Sequence, residues 1–416
     1  MQEEGRAGSL GPRAAGRTKL LPVFRCFDLP RVVFAALLLV LAGVRPGAAE
    51  GFQTIAPFAL VEDYESGAVL FEKNADQSMA PASTTKMLTA EMVFHELQEG
   101  RLHLDDKFHV SEHAWRTGGA HSHGSAMFLE VHSRVHIEDL IRGLVIQSGN
   151  DAAITLAEGI AGTESNFAGM MTRRARELGM TRSTFANSWG KSDPNERVTP
   201  REMALLAAHI ISAYPDFYHY FGEKEFTWNK VRQLNRNPLL TMDLGADGLK
   251  TGDTAESGFG LVASAIENGQ RLILVLNGLK TSAERAEEAR KILTWGFRSF
   301  DARTLFQAGE TVGEASVYGG ASGEVPLAAD KPVRLFVAHG SAEKLSAKII
   351  YTGPLIAPVE QGASVAHLKV WRGQTEVLDA PLKTSAAVAR GTLTQRSVDA
   401  AIELASDLIR KAFAKN

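Results

Sequence analysis

Three short elements stand far apart in this chain and carry matched chemistry: Ser83-Thr84-Thr85-Lys86, then Ser148-Gly149-Asn150, then Lys250-Thr251-Gly252. If they act together, the fold must bring all three to one cleft. Pro81-Ala82 leads into a stretch, 83–98, rich in helix formers, with Met87, Leu88, Met92 and Leu97 spaced as a buried face and Gly100 placed as a stop. Ser83 and Lys86 then lie one helical turn apart on one face, so the amine reaches the hydroxyl. A serine hydroxyl is a poor nucleophile until a base takes its proton, and a lysine serves when burial or a nearby positive charge draws its pKa towards neutrality. Ser83 is therefore the candidate nucleophile and Lys86 the candidate base. A Ser-x-x-Lys alone is more often an exposed helix edge, and the other two elements give this one its weight.

Ser148 and Asn150 read as a turn opening a second helix. From there a hydroxyl relays a proton to a leaving amine, and an amide bonds both substrate and Lys86. Lys250-Thr251-Gly252, preceded by Asp247-Gly248 and followed by Gly258-Phe259-Gly260-Leu261-Val262-Ala263, reads as an edge strand, with Gly252 leaving room for a substrate backbone to pair against it. Free backbone N–H groups at the helix start, that of Ser83 among them, suit an oxyanion. The set describes acyl transfer.

The order and chemistry of these motifs resemble the serine penicillin-recognising superfamily. Longer runs resemble the low-molecular-weight penicillin-binding proteins that act as serine-type D-alanyl-D-alanine carboxypeptidases, peptidase family S11: 81–87, Gln147-Ser148-Gly149-Asn150-Asp151-Ala152, Asn235-Arg236-Asn237, 247–252 and Leu293-Thr294-Trp295-Gly296-Phe297. The resemblance is strong over about 57–300 and weaker in the tail. It implies an acyl-ester on Ser83, Lys86 as proton acceptor, Ser148 and Asn150 as the second pair, and Lys250 as a substrate-binding cation. It also implies that Arg236 and Thr251 grip the substrate's terminal carboxylate, a task that suits the paired donors of a guanidinium. The expected reaction is removal of the terminal D-alanine from the pentapeptide stems of peptidoglycan, blocked covalently by β-lactam antibiotics, with no cofactor and no metal.

The sequence departs from the family once inside the site: Asp253-Thr254 follows the lysine motif where His-Thr is usual. The backbone N–H of Asp253 still serves the oxyanion hole beside that of Ser83, but its carboxylate stands near the substrate's own. Two rivals share the chemistry. A β-lactamase forms the same acyl-enzyme and releases it faster; Glu196 lies in the loop 190–200 where class A enzymes keep a deacylating glutamate, but its flanks do not match and it reads as a surface charge. A penicillin-sensing module without turnover would need a membrane relay, and nothing after Val44 is long or apolar enough.

Terminal strands around a helical block imply an α+β fold: an antiparallel sheet with helices on both faces and a helical subdomain, as in the serine β-lactamase and transpeptidase fold. Strands are expected in 53–69, 247–265 and 271–279. Helices are expected at 83–99, 137–145, 151–160, 165–178, 200–212 and 283–300. This peptidase domain spans 50–300, and a small all-β domain follows at 301–390, with strand signals at 333–337 and 366–370. The remainder, 391–416, holds an amphipathic helix at 397–413, either packed on its own β domain or lying on the outer face of the inner membrane.

Arg25 and Arg31 precede the apolar run 32–41, and Gly47-Ala48-Ala49 follows it, the layout of a secretory signal peptide over 1–49 with a long polar start; the alternative is an uncleaved membrane anchor, for which the apolar run is short. The expected location is the periplasm. The single cysteine, Cys26, would leave with that leader, excluding a thiol nucleophile and a disulfide framework from the mature chain. A net charge of -3 gives no basic excess for nucleic acid. Of 12 histidines, most fall between His95 and His136. Carboxylates at ligand spacing are scarce there apart from Glu112 and Glu130, so the cluster reads as a solvated loop beside the cleft.

Overall fold

The computed structural model describes residues 2–5, 52–338, 345–372 and 375–397. The expected leader lies outside them apart from Gln2–Gly5, which runs antiparallel to Leu345–Thr352. The expected C-terminal helix also falls almost wholly outside. Among the described residues no helix is long and apolar enough to cross a membrane.

The region 58–298 is built on one five-stranded sheet. Its strands are β1 (Phe58–Asp63), β2 (Val69–Lys73), β3 (Ala246–Thr254), β4 (Gly258–Glu267) and β5 (Gln270–Leu279). All pairings are antiparallel, in the order β2-β1-β5-β4-β3, which leaves β3 at an edge. Between β2 and β3 the chain forms α1 (Lys86–Gln98), α2 (Ile137–Val145), α3 (Asn150–Ala161), α4 (Glu164–Glu177) and α5 (Pro200–Ala213), and α6 (Ser282–Arg298) closes the domain. The run Leu272 to Leu276 in β5 has no polar break because both faces of the sheet are covered. Leu272, Leu274 and Leu276 pack with Ala289, Ile292 and Leu293 of α6. Ile273 and Val275 pack with Met87 of α1 and Met203, Ala207 and Ile210 of α5.

Helix α1 departs from the amphipathic pattern expected of it, since its first nine residues are all buried. Its polar members are each tied down. Thr89 donates to the Ser188 carbonyl at 2.6 Å, and Glu91 accepts from Arg174 at 2.7 Å, Tyr214 at 2.9 Å and His209 at 3.1 Å. A helix held on every side gives the residues at its start a fixed position, which a catalytic pair needs.

The second domain packs strands Thr311–Tyr318, Glu324–Ala328, Val333–Ala338, Leu345–Thr352, Ser364–Arg372 and Thr375–Thr384 around their own core, with Val325, Leu327, Leu335, Leu368 and Leu382 buried. The turn between β1 and β2 reaches into it. Ala68 is part of that core, and Lys331 sits over the Tyr64 ring at 5.7 Å.

Candidate active site

The turn that holds Ser83 is not the first turn of α1. Ala82–Thr85 forms a separate 3-10 turn that runs into the helix at Lys86. It still places the pair together: Lys86 Nζ lies 3.0 Å from Ser83 Oγ, 2.8 Å from Asn150 Oδ1 and 2.7 Å from the Trp189 carbonyl. A neutral amine has two N–H bonds and one lone pair. The two carbonyl oxygens accept the N–H bonds, which leaves the lone pair for the Ser83 hydroxyl. Burial, with Arg236 next in weight, draws the Lys86 pKa down to about 7, so the neutral form is well populated near neutrality.

The loop that supplies the Trp189 carbonyl was not legible as part of the site. Asn187 Oδ1 accepts from the N–H groups of Trp189, Gly190 and Lys191 at 3.2, 2.7 and 2.9 Å and so shapes the turn. Gly190 has φ +86°, and a Cβ on it would stand 1.9 Å from the Ala82 carbonyl oxygen. An Asn followed three residues on by Gly is a turn signal that could have found it. Glu196, read from the sequence as a surface charge, is buried at 2% exposure, and that reading is corrected. The side chains of Thr85 and Asn187 satisfy its two oxygens. Burial pushes its pKa up to about 8. It stands behind the Ser83 turn and is not among the residues lining the cleft.

Ser148 sits in a left-handed turn at φ +65°, and Asn150 is the first residue of α3. The backbone N–H of Asn150 donates to the Ser125 carbonyl at 2.7 Å, and the next residue, Asp151, accepts from the N–H groups of Met127 and Leu129 at 2.9 and 3.0 Å. These bonds fix the second motif against the 125–129 segment, which places Ser125 and His123 on the cleft wall.

Strand β3 brings the third motif alongside. Beside the expected reason for Gly252 stands a second: a Cβ there would lie 2.9 Å from the Ser83 nitrogen and 3.0 Å from that of Thr84, so the glycine also makes room for the Ser83 turn. Lys250 is buried, donates to the Thr251 carbonyl at 3.0 Å, and has its pKa pushed well down by burial and then by the charge of Lys86. Thr251 and Asp253 line the cleft.

Arg236 reaches the same cleft because its neighbours anchor the backbone. Asn235 donates to the carbonyls of Phe221 and Glu223 at 3.2 and 2.9 Å, and Asn237 donates to that of Gly248 at 2.8 Å. Ser83, Ser148, Asn150, Trp189, Arg236, Thr251 and Asp253 thus surround one open cleft of about 560 Å³. Of the histidines, His123 is on its wall, and among the described residues no group of three His, Cys, Asp or Glu is placed to hold a metal ion.

Residues 46–281 match the D-alanyl-D-alanine carboxypeptidase family, and residues 300–390 match the C-terminal domain of penicillin-binding protein 5. The chain is 41% identical over 312 residues to the D-alanyl-D-alanine carboxypeptidase DacC of Escherichia coli, covering 74% of this chain and 78% of that protein. It is 38% identical to DacA of Haemophilus influenzae over 76% of this chain and 81% of the relative. In three dimensions it resembles penicillin-binding protein 5 of Haemophilus influenzae, with a TM-score of 0.71 and 35% identity over 82% of this chain and 99% of that one. Penicillin-binding protein 6B of Escherichia coli gives a TM-score of 0.63 and 31% identity over 82% and 98%. A serine and a lowered-pKa lysine held at the meeting point of a helix, a turn and a sheet edge are what acyl-enzyme hydrolysis requires, and by sequence and fold alike this chain belongs to the D-alanyl-D-alanine carboxypeptidases.

Proposed function

We propose that the cleft removes the terminal D-alanine from peptidoglycan pentapeptides with Ser83 as nucleophile and Lys86 as base. The observation that carries this assignment is the Lys86 amine, 3.0 Å from Ser83 Oγ with its other two partners both carbonyl oxygens. Ser83 Oγ attacks the penultimate D-alanine carbonyl carbon as its proton passes to Lys86. The oxyanion is held by the backbone N–H groups of Ser83 and Asp253. Collapse breaks the C–N bond, and the Ser148 hydroxyl relays a proton to the departing amine. Water then attacks the ester, gives up a proton to Lys86, and frees Ser83. Asn150 holds Lys86, and Lys250, Thr251 and Arg236 bind substrate. Glu196 behind the turn offers no support for a β-lactamase-type deacylation.

The same nucleophile would form a stable ester with a β-lactam; a relative, penicillin-binding protein D2 of Listeria monocytogenes, has been crystallised in an ampicillin-bound form. Incubation with diacetyl-Lys-D-Ala-D-Ala and assay of free D-alanine tests the activity directly. Arg236→Ala is expected to cut kcat/KM on that peptide by about 2–4 kcal/mol of transition-state binding. Amidating the substrate's C-terminus should already impair the native enzyme and add little to the loss in the variant. Equal sensitivity of both proteins to amidation would remove Arg236 as the carboxylate reader.

The leader pattern over 1–49 supports export to the periplasm, and the apolar stripe of 397–413 supports attachment to the outer face of the inner membrane. Deletion after Arg396 is expected to shift the protein from the membrane to the soluble fraction with peptidase activity retained. A lowered melting temperature with unchanged fractionation would instead make that segment part of the β domain.

A further inference from the structure

Arg285, in the first turns of α6, is 7% exposed, yet its Nε has no hydrogen-bond partner among the described residues. Nor does any ion pair among the described residues engage it. A buried N–H in that state bears a desolvation cost that an acceptor would relieve. Its position is set by two observations. It lies over the ring of Phe259, 5.6 Å from the centroid, and Phe259 is the cross-strand partner of Asp253. Directly opposed residues of an antiparallel pair share a face of the sheet, so Asp253 lies on the face of the sheet that Arg285 covers. Arg285 feels the charges of both Asp253 and Arg236. Asp253 and Arg236 in turn open on the same cleft, and Asp253 is exposed there.

We propose that Asp253 is a specificity-determining residue: without an ion pair to either among the described residues, its carboxylate offsets the field of Arg236 and Arg285 in the cleft and so competes with the substrate's terminal carboxylate for their charge. The inference rests on the reading of Arg236 given above and adds to it a second guanidinium and a built-in competitor. A substrate ending in a free carboxylate meets a field already partly neutralised, and like charge opposes its entry. A substrate ending in an amide is indifferent to Asp253. The enzyme is thereby less selective for a free C-terminus than its two arginines would make it.

Steady-state kinetics of the full chain on diacetyl-Lys-D-Ala-D-Ala and on its C-terminal amide test this. In Asp253→Asn the ratio of kcat/KM for acid over amide is expected to rise about tenfold, through KM, and the gain should shrink as salt is raised. An unchanged ratio, or an equal change on both substrates, overturns the proposal. Asp253→Ser is measured beside it, so that a folding defect peculiar to one side chain is recognised by its melting curve. In an Arg285→Gln background the gain from Asp253→Asn should fall below about threefold, by the non-additivity expected of groups in one site. A persisting tenfold gain there would remove Arg285 as the second guanidinium. Failure of the Arg236 reading has a different signature: Arg236→Ala would leave the acid-to-amide ratio at its native value, while Asp253→Asn still raised it and Asp253 with Arg285 remained supported.

Discussion

Ser83→Ala is expected to lower D-alanine release by at least about ten-thousandfold and to abolish covalent labelling by a fluorescent penicillin. The substitution removes one oxygen from a half-buried position and leaves the surrounding bonds of Lys86 to Asn150 and Trp189 in place. The fold should therefore survive, and a melting temperature near that of the native protein is part of the expected result. What disappears is the atom that makes the ester. Labelling that persists in this variant would place the nucleophile elsewhere and with it overturn the whole assignment of the cleft.

Lys86→Ala comes next in size, with acylation slowed about a thousandfold. The amine moves a proton and makes few ground-state contacts, so non-covalent affinity for penicillin should change far less than the rate of ester formation. The native enzyme supplies an internal control through pH. Lys86 acts as a base only when neutral, and its pKa has been drawn down to about 7. The acylation rate should therefore climb as pH rises through that region and level off above it, whereas Lys86→Ala should lose this limb. Here the amine is doubly constrained, because its removal also strips the Asn150 amide and the Trp189 carbonyl of a donor. Lys86→Met tests the chemistry with the volume kept, and a rate within tenfold of native in that variant would take Lys86 out of the mechanism.

The elements that could be read from the sequence are those with local signals. The helix at Ile137–Val145 has the limits that its apolar period predicts, and α5 starts where Thr199 and Pro200 announce a cap and a first turn. Ser83, Lys86, Ser148, Asn150 and Arg236 each sit at or beside the boundary of an element, and Thr251 joins them from within the edge strand Ala246–Thr254. Less legible were groups whose role depends on what lies across the fold. Glu196 is flanked by polar residues and gives no periodic sign of burial, yet Thr85 and Asn187 enclose it. The part of Trp189 is played by a backbone carbonyl, which no residue identity encodes. Gly252 was noticed as a space, but only the fold reveals that the Ser83 turn also needs it. Arg285 reads as one charge among several on an amphipathic helix until Phe259 and Asp253 are seen beside it.

The sheet has a consequence for the order in which this molecule becomes competent. Strand β1 lies between β2, its neighbour in sequence, and β5, which arrives after the entire helical block. Pairings between such distant segments form late, since the loop must close before the contacts reward it. Until Gln270–Leu279 docks, β3 and β4 have no hydrogen-bonded link to β1, and the wall that carries Thr251 and Asp253 lacks its tie to the rest of the sheet. A chain synthesised only as far as the helical block therefore has Ser83-Thr84-Thr85-Lys86 without the Thr251 and Asp253 wall of the cleft. Reactivity switches on with the closure of the sheet, and a protein built to attack wall peptides and to be trapped by their mimics stays inert until its last central strand is in place.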